Sequence, residues 1–354
     1  MMARRKQVKV DEASPPFFWG VDVGGTNIKI GLVDDLGQTL GFESIATLEE
    51  HGAQPAVDRI LIGCRKVAEQ AGVPWQAICF AGLGVPGPMC LKRGIMLDPV
   101  NLPHWEKYPI QQALSTALGM PVAFINDANA AAFGEYWIGS GADSDSLAML
   151  TLGTGVGGGV ISEGQLINGM NSFGSELGHM IIDCRADARQ CVWGGGQGQL
   201  EAYASASAVA ARAEEALRAG AVSSLIRLMM AGKAITAKRI YDAAVMGDEF
   251  SLGIIDETAF YLGVGVASVV HAIDPGMVVL GGAMDFGGPS CPVGQRFLSG
   301  IRKEFQNRTF PNVYSGTRIE YAKLGADAGY IGAAGFARQR ALDAGPATTN
   351  ELAQ

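Results

Sequence analysis

The stretch DVGGTNIKIGLVDDLG (22–37) reads as the end of one β-strand, a turn on two adjacent glycines and a second strand. The stretch LGTGVGGGVISEG (152–164) repeats that plan of strand, glycine turn and strand, so the chain holds two related units. Working outward from the first, FWGVDVGG, NIKIGLVDD and TLGFESIAT form an antiparallel meander. Apolar residues at three- and four-residue spacing in AVDRILIGCRKVAEQAG (56–72) predict a helix capped by Gly72, ahead of a strand AICFAGLGV (77–85). PVAFI (121–125) is the next strand and runs into NDANAAAFGEYWIG (126–139), an alanine-rich helix opened by Asn and Asp. Beyond the second glycine turn, the pattern predicts helices over 206–231, 235–245 and 248–272. A buried strand MVVLGG (277–282), a helix over 294–306 and a last helix from Asp327 to Ala341 complete it. Strands interleaved with helices place the chain in the α/β class.

A chain of 354 residues suits two domains better than one core. The division expected is a small lobe over 17–137 joined by the C-terminal helix 327–344, and a larger lobe over 138–326. Residues 1–16 and 345–354 lack apolar periodicity and read as frayed ends. The formal net charge of −8 argues against a nucleic-acid or anionic-membrane surface, both of which ask for a basic face. Six scattered cysteines fit a reducing, cytoplasmic compartment. The opening MMARRKQVKVDEASPP lacks the apolar stretch of a signal peptide. YLGVGVASVVHAI (261–273) is too short and glycine-rich to span a bilayer, so no membrane segment is expected.

Several segments carry groups suited to chemistry. DVGGT puts the carboxylate of Asp22 at a strand end, where it can orient a hydrated Mg²⁺, beside glycines whose backbone N–H groups can approach phosphate; the same residues also make an ordinary hairpin turn. Five glycines in LGTGVGGG (152–159) favour a phosphate cradle. No Lys-Ser or Lys-Thr follows, as in a P-loop, and no helix, as in a dinucleotide-binding turn. Asp127 lies in the first turn of a helix, where the macrodipole holds it ionised. It is suited to accept a hydroxyl proton or to cap the helix, and Asn126 is open to either use. Glu135, further along that helix, reads as structural. Glu176 and His179 in SELGHMIID suit vicinal hydroxyls, and Glu201 in GQLEAYAS adds a second carboxylate or a first-turn helix charge. In PVNLPHW (99–105), Asn101 can both donate to and accept from a sugar, and Trp105 offers a ring for its apolar face.

Taken in order, DVGGT, NDANAAAFGE, LTLGTGVGGG, VVLGGAM and GADAGYIGAA resemble the phosphate, connecting and adenosine segments of the sugar kinase, heat-shock protein and actin superfamily. VDVGGTNIKIGLVD, NLPHW, SELGHM and GQLEAYAS resemble, within it, the ROK family of repressors, open reading frames and kinases, and most closely its glucokinases. The resemblance implies two RNase-H-like lobes of the actin-like ATPase kind, with the active-site cleft between them closing on sugar and ATP. It implies an ATP-dependent hexose kinase that turns glucose and ATP into glucose 6-phosphate and ADP, working as a homodimer or homotetramer. Carried over by residue, Asp127 is the catalytic base, and Asn101, Asn126, Glu176, His179 and Glu201 hold the sugar. Gly24, Gly25, Thr26, Gly153, Thr154 and Gly155 line the phosphates, and Gly281 and Gly282 pass near the adenosine.

One departure stands out. Many members carry Cys-x-Cys-Gly-x-x-Gly-Cys before the glutamate matched by Glu201, and with a His it binds a structural zinc. Here Gly195 and Gly198 keep the spacing, but Val192, Gly194 and Gln199 hold the cysteine positions. His179, Cys184 and Cys191 remain as three loosely spaced candidates where a structural zinc takes four ligands, so no zinc of the family type is expected. Kinases for fructose, mannose or an N-acetylated amino sugar are the near alternatives. A sugar-sensing repressor is disfavoured, because only 21 residues precede Asp22, too few for a DNA-binding domain.

Overall fold

Two hairpins of the same design organise the chain. The structure, a computed structural model, describes residues 7–348 apart from position 193, so the expectations for 1–6 and 349–354 lie outside the described residues. The elements run β1 (Phe17–Val23), β2 (Asn27–Val33), β3 (Thr39–Ala46), α1 (Ala53–Ala71), β4 (Ile78–Val85), β5 (Met89–Cys90), β6 (Ile95–Met96), α2 (Ile110–Leu118), β7 (Val122–Asn126) and α3 (Asp127–Ile138). They continue with β8 (Leu147–Leu152), β9 (Val156–Ser162), β10 (Gln165–Leu166), α4 (Glu201–Ala204), α5 (Ala206–Arg218), α6 (Ile226–Met230), α7 (Ala237–Val245) and α8 (Glu249–Ile273). The last are β11 (Met277–Gly281), α9 (Pro292–Arg308), α10 (Pro311–Gly316), β12 (Arg318–Tyr321) and α11 (Ala328–Thr348).

The chain divides into two compact units, one of residues 1–142, 166–175 and 326–354, the other of 143–165 and 176–325. In the first, the sheet order is β3-β2-β1-β4-β7; β1, β2 and β3 are antiparallel, and β4 and β7 run parallel to β1. The second sheet, β10-β9-β8-β11-β12, repeats that order, with β8 antiparallel to β9 and parallel to β11. Two sheets of one topology bear out the repeat read in the two glycine turns, and each has the strand order of an RNase-H-like unit.

In the first unit Trp19, Val21, Ile28, Ile30 and Leu32 bury one sheet face with α1 residues Val57, Ile60 and Cys64. The other face takes α11, whose backbone comes so close that a Cβ on Gly20 or Gly82 would strike the carbonyls of Tyr330 and Ala333. Glycine in those strands is therefore a packing requirement. In the second unit α5, α7, α8 and α9 share one apolar cluster with β8 and β11. The segment 261–273, read as too short for a membrane, is the end of the 25-residue α8, which by length and composition alone could cross one. Its Ile255, Leu262, Val266 and Val270 are buried in that cluster, as in the core helix of a globular unit.

Three expectations change. Of the segment read as frayed, residues 7–16 are tied down: Val8 N–H donates to the Thr39 carbonyl (3.0 Å) and Ser14 N–H to Asp34 Oδ2 (2.9 Å). The helix expected over 206–231 is two, α5 and α6, interrupted at Gly220 in the left-handed region (φ 97°). The helix α2 and the strand β12 lay in stretches with no pattern assigned to them.

The break after α5 serves the next long helix. Asp248 caps α8 by accepting from Ser251 N–H (2.8 Å), and its carboxylate also takes Ser224 N–H (2.7 Å) and the Ser223 hydroxyl (3.0 Å). Burial pushes its carboxyl up, but these donors outweigh that and bring it down to about 2. Since the folded value lies below the ordinary 3.8, the stabilisation is present above that pH and lost as pH falls through about 2. Asp248→Ala is expected to cost about 1 to 2 kcal/mol at pH 7 and visibly less at pH 3, measured by urea unfolding at both pH values.

Candidate active site

In the first unit, Asp22 sits on β1 opposite Lys29 on β2, and Lys29 Nζ lies 3.4 Å from its Oδ2 while donating to the Ala326 carbonyl (2.7 Å). Burial raises the Asp22 carboxyl above the usual range, and the Lys29 charge and hydrogen bond only partly offset it. The turn after it closes through Gly24 N–H to the Asn27 carbonyl (2.9 Å) and is held by the Thr47 hydroxyl on the Gly24 carbonyl (2.6 Å). Gly25 and Thr26 are exposed at its tip. A Cβ on Gly25 would lie 3.2 Å from Asn101 Cβ, so the 99–105 loop brings exposed Asn101 against this turn. Trp105 does not join it. The ring is fully buried in the core of this unit, so the expected contact with a sugar face is withdrawn.

The β7–α3 junction separates two roles that the sequence left open. Asn126 is the N-cap: its Oδ1 accepts from Ala128 N–H (2.9 Å) and Asn129 N–H (3.3 Å). Asp127 is the first helical residue, partly exposed, its Oδ1 accepting from Ala128 N–H (2.8 Å) at the positive end of the helix. Glu135 is fully buried and accepts from Ser140 N–H (2.8 Å), closing the far end of α3 as a structural residue.

In the second unit, the Gly153–Gly155 turn closes through Gly153 N–H to the Gly155 carbonyl (3.0 Å). The start of α5 sits on it, Ala206 N–H donating to the Gly153 carbonyl (2.8 Å) and the Ser207 hydroxyl to the Thr154 carbonyl (2.9 Å). Glu201, nearly buried, accepts Val156 N–H on Oε2 (2.8 Å), and Gly155 packs on the same carboxylate with no room for a Cβ. Glu176 and His179 flank a 3-10 turn, with Glu176 Oε2 3.9 Å from His179 Nε2 and both side chains part exposed. Burial raises the Glu176 carboxyl, His179 pulls it down and the Glu201 charge pushes it up again. Gly281 ends β11 and Gly282 follows it, and just beyond, Met284 N–H donates to the Leu152 carbonyl (3.0 Å). Each glycine turn thus has one of the expected residues against it, Asn101 at the first and Glu201 at the second.

Metal fits differ at the two places. A single carboxylate such as Asp22, partly exposed at a turn rich in backbone amides, suits a Mg²⁺ that keeps its waters. Zinc does not suit the 179–199 segment. Gln199 Oε1 takes His179 Nδ1 (2.9 Å) and the Cys191 thiol (3.1 Å), Cys184 is exposed, and no three His, Cys, Asp or Glu side chains among the described residues group as metal ligands.

The ROK family model matches residues 18–340. The chain belongs to the ROK family. It is 32% identical to a glucokinase of Thermotoga maritima over 91% of this chain and 97% of that one. It is 30% identical to the xylose repressor of Caldicellulosiruptor bescii, covering 86% of this chain and 74% of the repressor. Among solved structures, a ROK family glucokinase from Streptomyces griseus, in complex with glucose and AMPPNP, matches with TM-score 0.72 and 32% identity over 91% of this chain and 99% of that one. With the two sheet topologies, this gives the actin-like ATPase fold that ROK sugar kinases share.

Sequence reasoning missed Lys29, whose place across the first hairpin from Asp22 is the signal that would have found it, and Gln199, which nothing in the sequence marks as more than a lost cysteine. Purified protein is expected to hold much less than one zinc per chain by elemental analysis after dialysis. Stoichiometric zinc removable only by strong chelation would show that Gln199 and Cys191 rearrange around a metal.

Proposed function

We propose that this ROK family member is an ATP-dependent hexose kinase, with glucose its first substrate, acting in the cytoplasm where ATP is available. The observation that carries the reading is the arrangement at the β7–α3 junction: Asn126 caps the helix through Ala128 and Asn129 N–H, while Asp127, which shares Ala128 N–H, stands partly exposed at the positive end of the helix. In this reading Asp127 takes the proton of the attacking hydroxyl as its oxygen bonds to the γ-phosphorus, while the bond from that phosphorus to the bridging oxygen breaks and ADP leaves. Each unit brings its own candidates for binding and orienting the sugar: Asn101 and the Asn126 amide in the first, and Glu176, His179 and Glu201 in the second. The amides of residues 24–26 and 153–155 and the start of α5 receive the phosphates. Mg²⁺, held through water by Asp22, would neutralise phosphate charge. Glucokinases and the glucose and AMPPNP complex among the relatives support sugar and ATP as substrates. Fructose, mannose and N-acetylated amino sugars present many of the same hydroxyls and remain the competing acceptors. Sugar-sensing repressors also occur among the relatives, and a base with a sugar set favours the kinase.

A coupled assay across a hexose panel, with ATP and polyphosphate as donors, is expected to give glucose and ATP the highest kcat/KM. Asp127→Asn is expected to lower kcat on the order of a hundred- to ten-thousand-fold, with sugar and nucleotide still bound and Tm nearly unchanged. Because the cap is Asn126, Asp127→Ala is expected to fold as well as Asp127→Asn, whereas Asn126→Ala loses about 1 kcal/mol of stability. An Asp127→Asn enzyme within a few-fold of the parent rate would remove the base from this mechanism.

A further inference from the structure

In the 179–199 segment a side-chain amide is in hydrogen-bond contact with an imidazole. Gln199 Oε1 lies 2.9 Å from His179 Nδ1 and 3.1 Å from the Cys191 thiol, so two donors converge on one carbonyl oxygen, which has two lone pairs to offer. The backbone fixes this arrangement. Gln199 pairs with Ile181 in an antiparallel bridge, Leu200 N–H donates to the Met180 carbonyl (2.9 Å), and Cys191, itself buried, donates its N–H to the Gly196 carbonyl (3.1 Å).

We infer that Gln199 is a positioning residue for sugar recognition, holding His179 as the Nδ1–H tautomer so that Nε2 presents a lone pair beside the Glu176 carboxylate. The inference rests on the proposed role of His179 as a sugar ligand. An amide carbonyl has no proton to give, so the ring nitrogen facing it must carry one, and a neutral imidazole then has its acceptor at the other nitrogen. His179 Nε2 and Glu176 Oε2 lie 3.9 Å apart, too far to bond each other directly. Two adjacent acceptors match a ligand that brings two donors, and a vicinal diol of a hexose is such a ligand. The opposite tautomer would put an N–H beside the carboxylate and close the gap against the diol. Gln199 therefore does through a hydrogen bond what a metal on Nδ1 does for a ligating histidine, which is to choose which nitrogen stays basic.

The test begins with the parent protein. The chain has four histidines, so ¹⁵N-histidine labelling and long-range ¹H–¹⁵N spectra can be read residue by residue, with His179 assigned by its loss in His179→Ala. The expected result is a protonated Nδ1 and an unprotonated Nε2 for His179. Gln199→Met, close in size but without an acceptor, is expected to shift that tautomer and raise the sugar KM about tenfold while leaving the ATP KM within about twofold. Gln199→Glu keeps the acceptor and is expected to restore the Nδ1–H form and most of the sugar affinity. An Nε2–H tautomer in the parent would mean that the amide is turned the other way and would overturn the inference, as would Gln199→Met with tautomer and sugar KM unchanged. Should Gln199→Met fail to fold, the parent spectrum and Gln199→Glu still decide. His179→Ala with an unchanged sugar KM would overturn the sugar role of His179 instead, while the tautomer comparison continues to judge Gln199.

Discussion

The backbone of a single residue, Val156, ties together the candidate segments of the second unit. Its N–H is taken by Glu201 Oε2, and its carbonyl lies where a Cβ on Gly178 would strike it. The first contact anchors the Gly153–Gly155 turn to the start of α4, and the second seats the turn carrying Glu176 and His179 on β9. An unpaired buried N–H costs about 1 to 3 kcal/mol, and a carboxylate acceptor makes the bond stronger than an ordinary one. A nearly buried glutamate is more tolerable there because a backbone N–H donates to it. The cost appears next door, where the Glu201 charge helps to raise the Glu176 carboxyl, and His179 pulls against it.

The first unit solves a related problem by separating tasks. Asn126 satisfies the helix terminus with a neutral oxygen, and Asp127 remains as a charge at the positive end of α3. Asp22, one hairpin away, is kept in a setting that disfavours its charge and is partly balanced by Lys29. Both carboxylates stand at the ends of parallel strands, β1 and β7, which is where open α/β sheets place groups that meet ligands. The close seat of α11 on Gly20 of β1 and Gly82 of β4 backs the sheet that carries them.

The 179–199 segment is held by an amide, a buried thiol and a short ladder of backbone hydrogen bonds. Neighbouring side chains extend the network. Tyr203 donates to Asp183 Oδ2 (2.6 Å), accepts Arg189 N–H (2.9 Å), and Arg189 pairs with Glu215 through two bonds. Together they tie Asp183, Arg189, Gln199 and Tyr203 to one another's surroundings.

The main alternation of strands and helices, the repeat of the glycine turns, and the places of Asp22, Asp127 and Glu201 in the chain were legible in the sequence. Each sits in a local pattern, a strand end, a helix start or a glycine run, that short-range sterics and capping impose. What the sequence left open were choices between equal local uses. Asn126 and Asp127 are both good caps, and only the path of β7 into α3 made Asn126 the N-cap and Asp127 the first helical residue, the two sharing Ala128 N–H. Trp105 looked available on an irregular loop, but burial is a property of what packs over a residue, and here that is the core beneath α2. Gly220 inside a helical pattern, the unmarked strand β12 and the partner of His179 were hidden for the same reason. Periodicity reports which face of an element is apolar, whereas a bond such as that between Gln199 and His179 depends on distant segments being brought side by side, and tertiary structure alone does that.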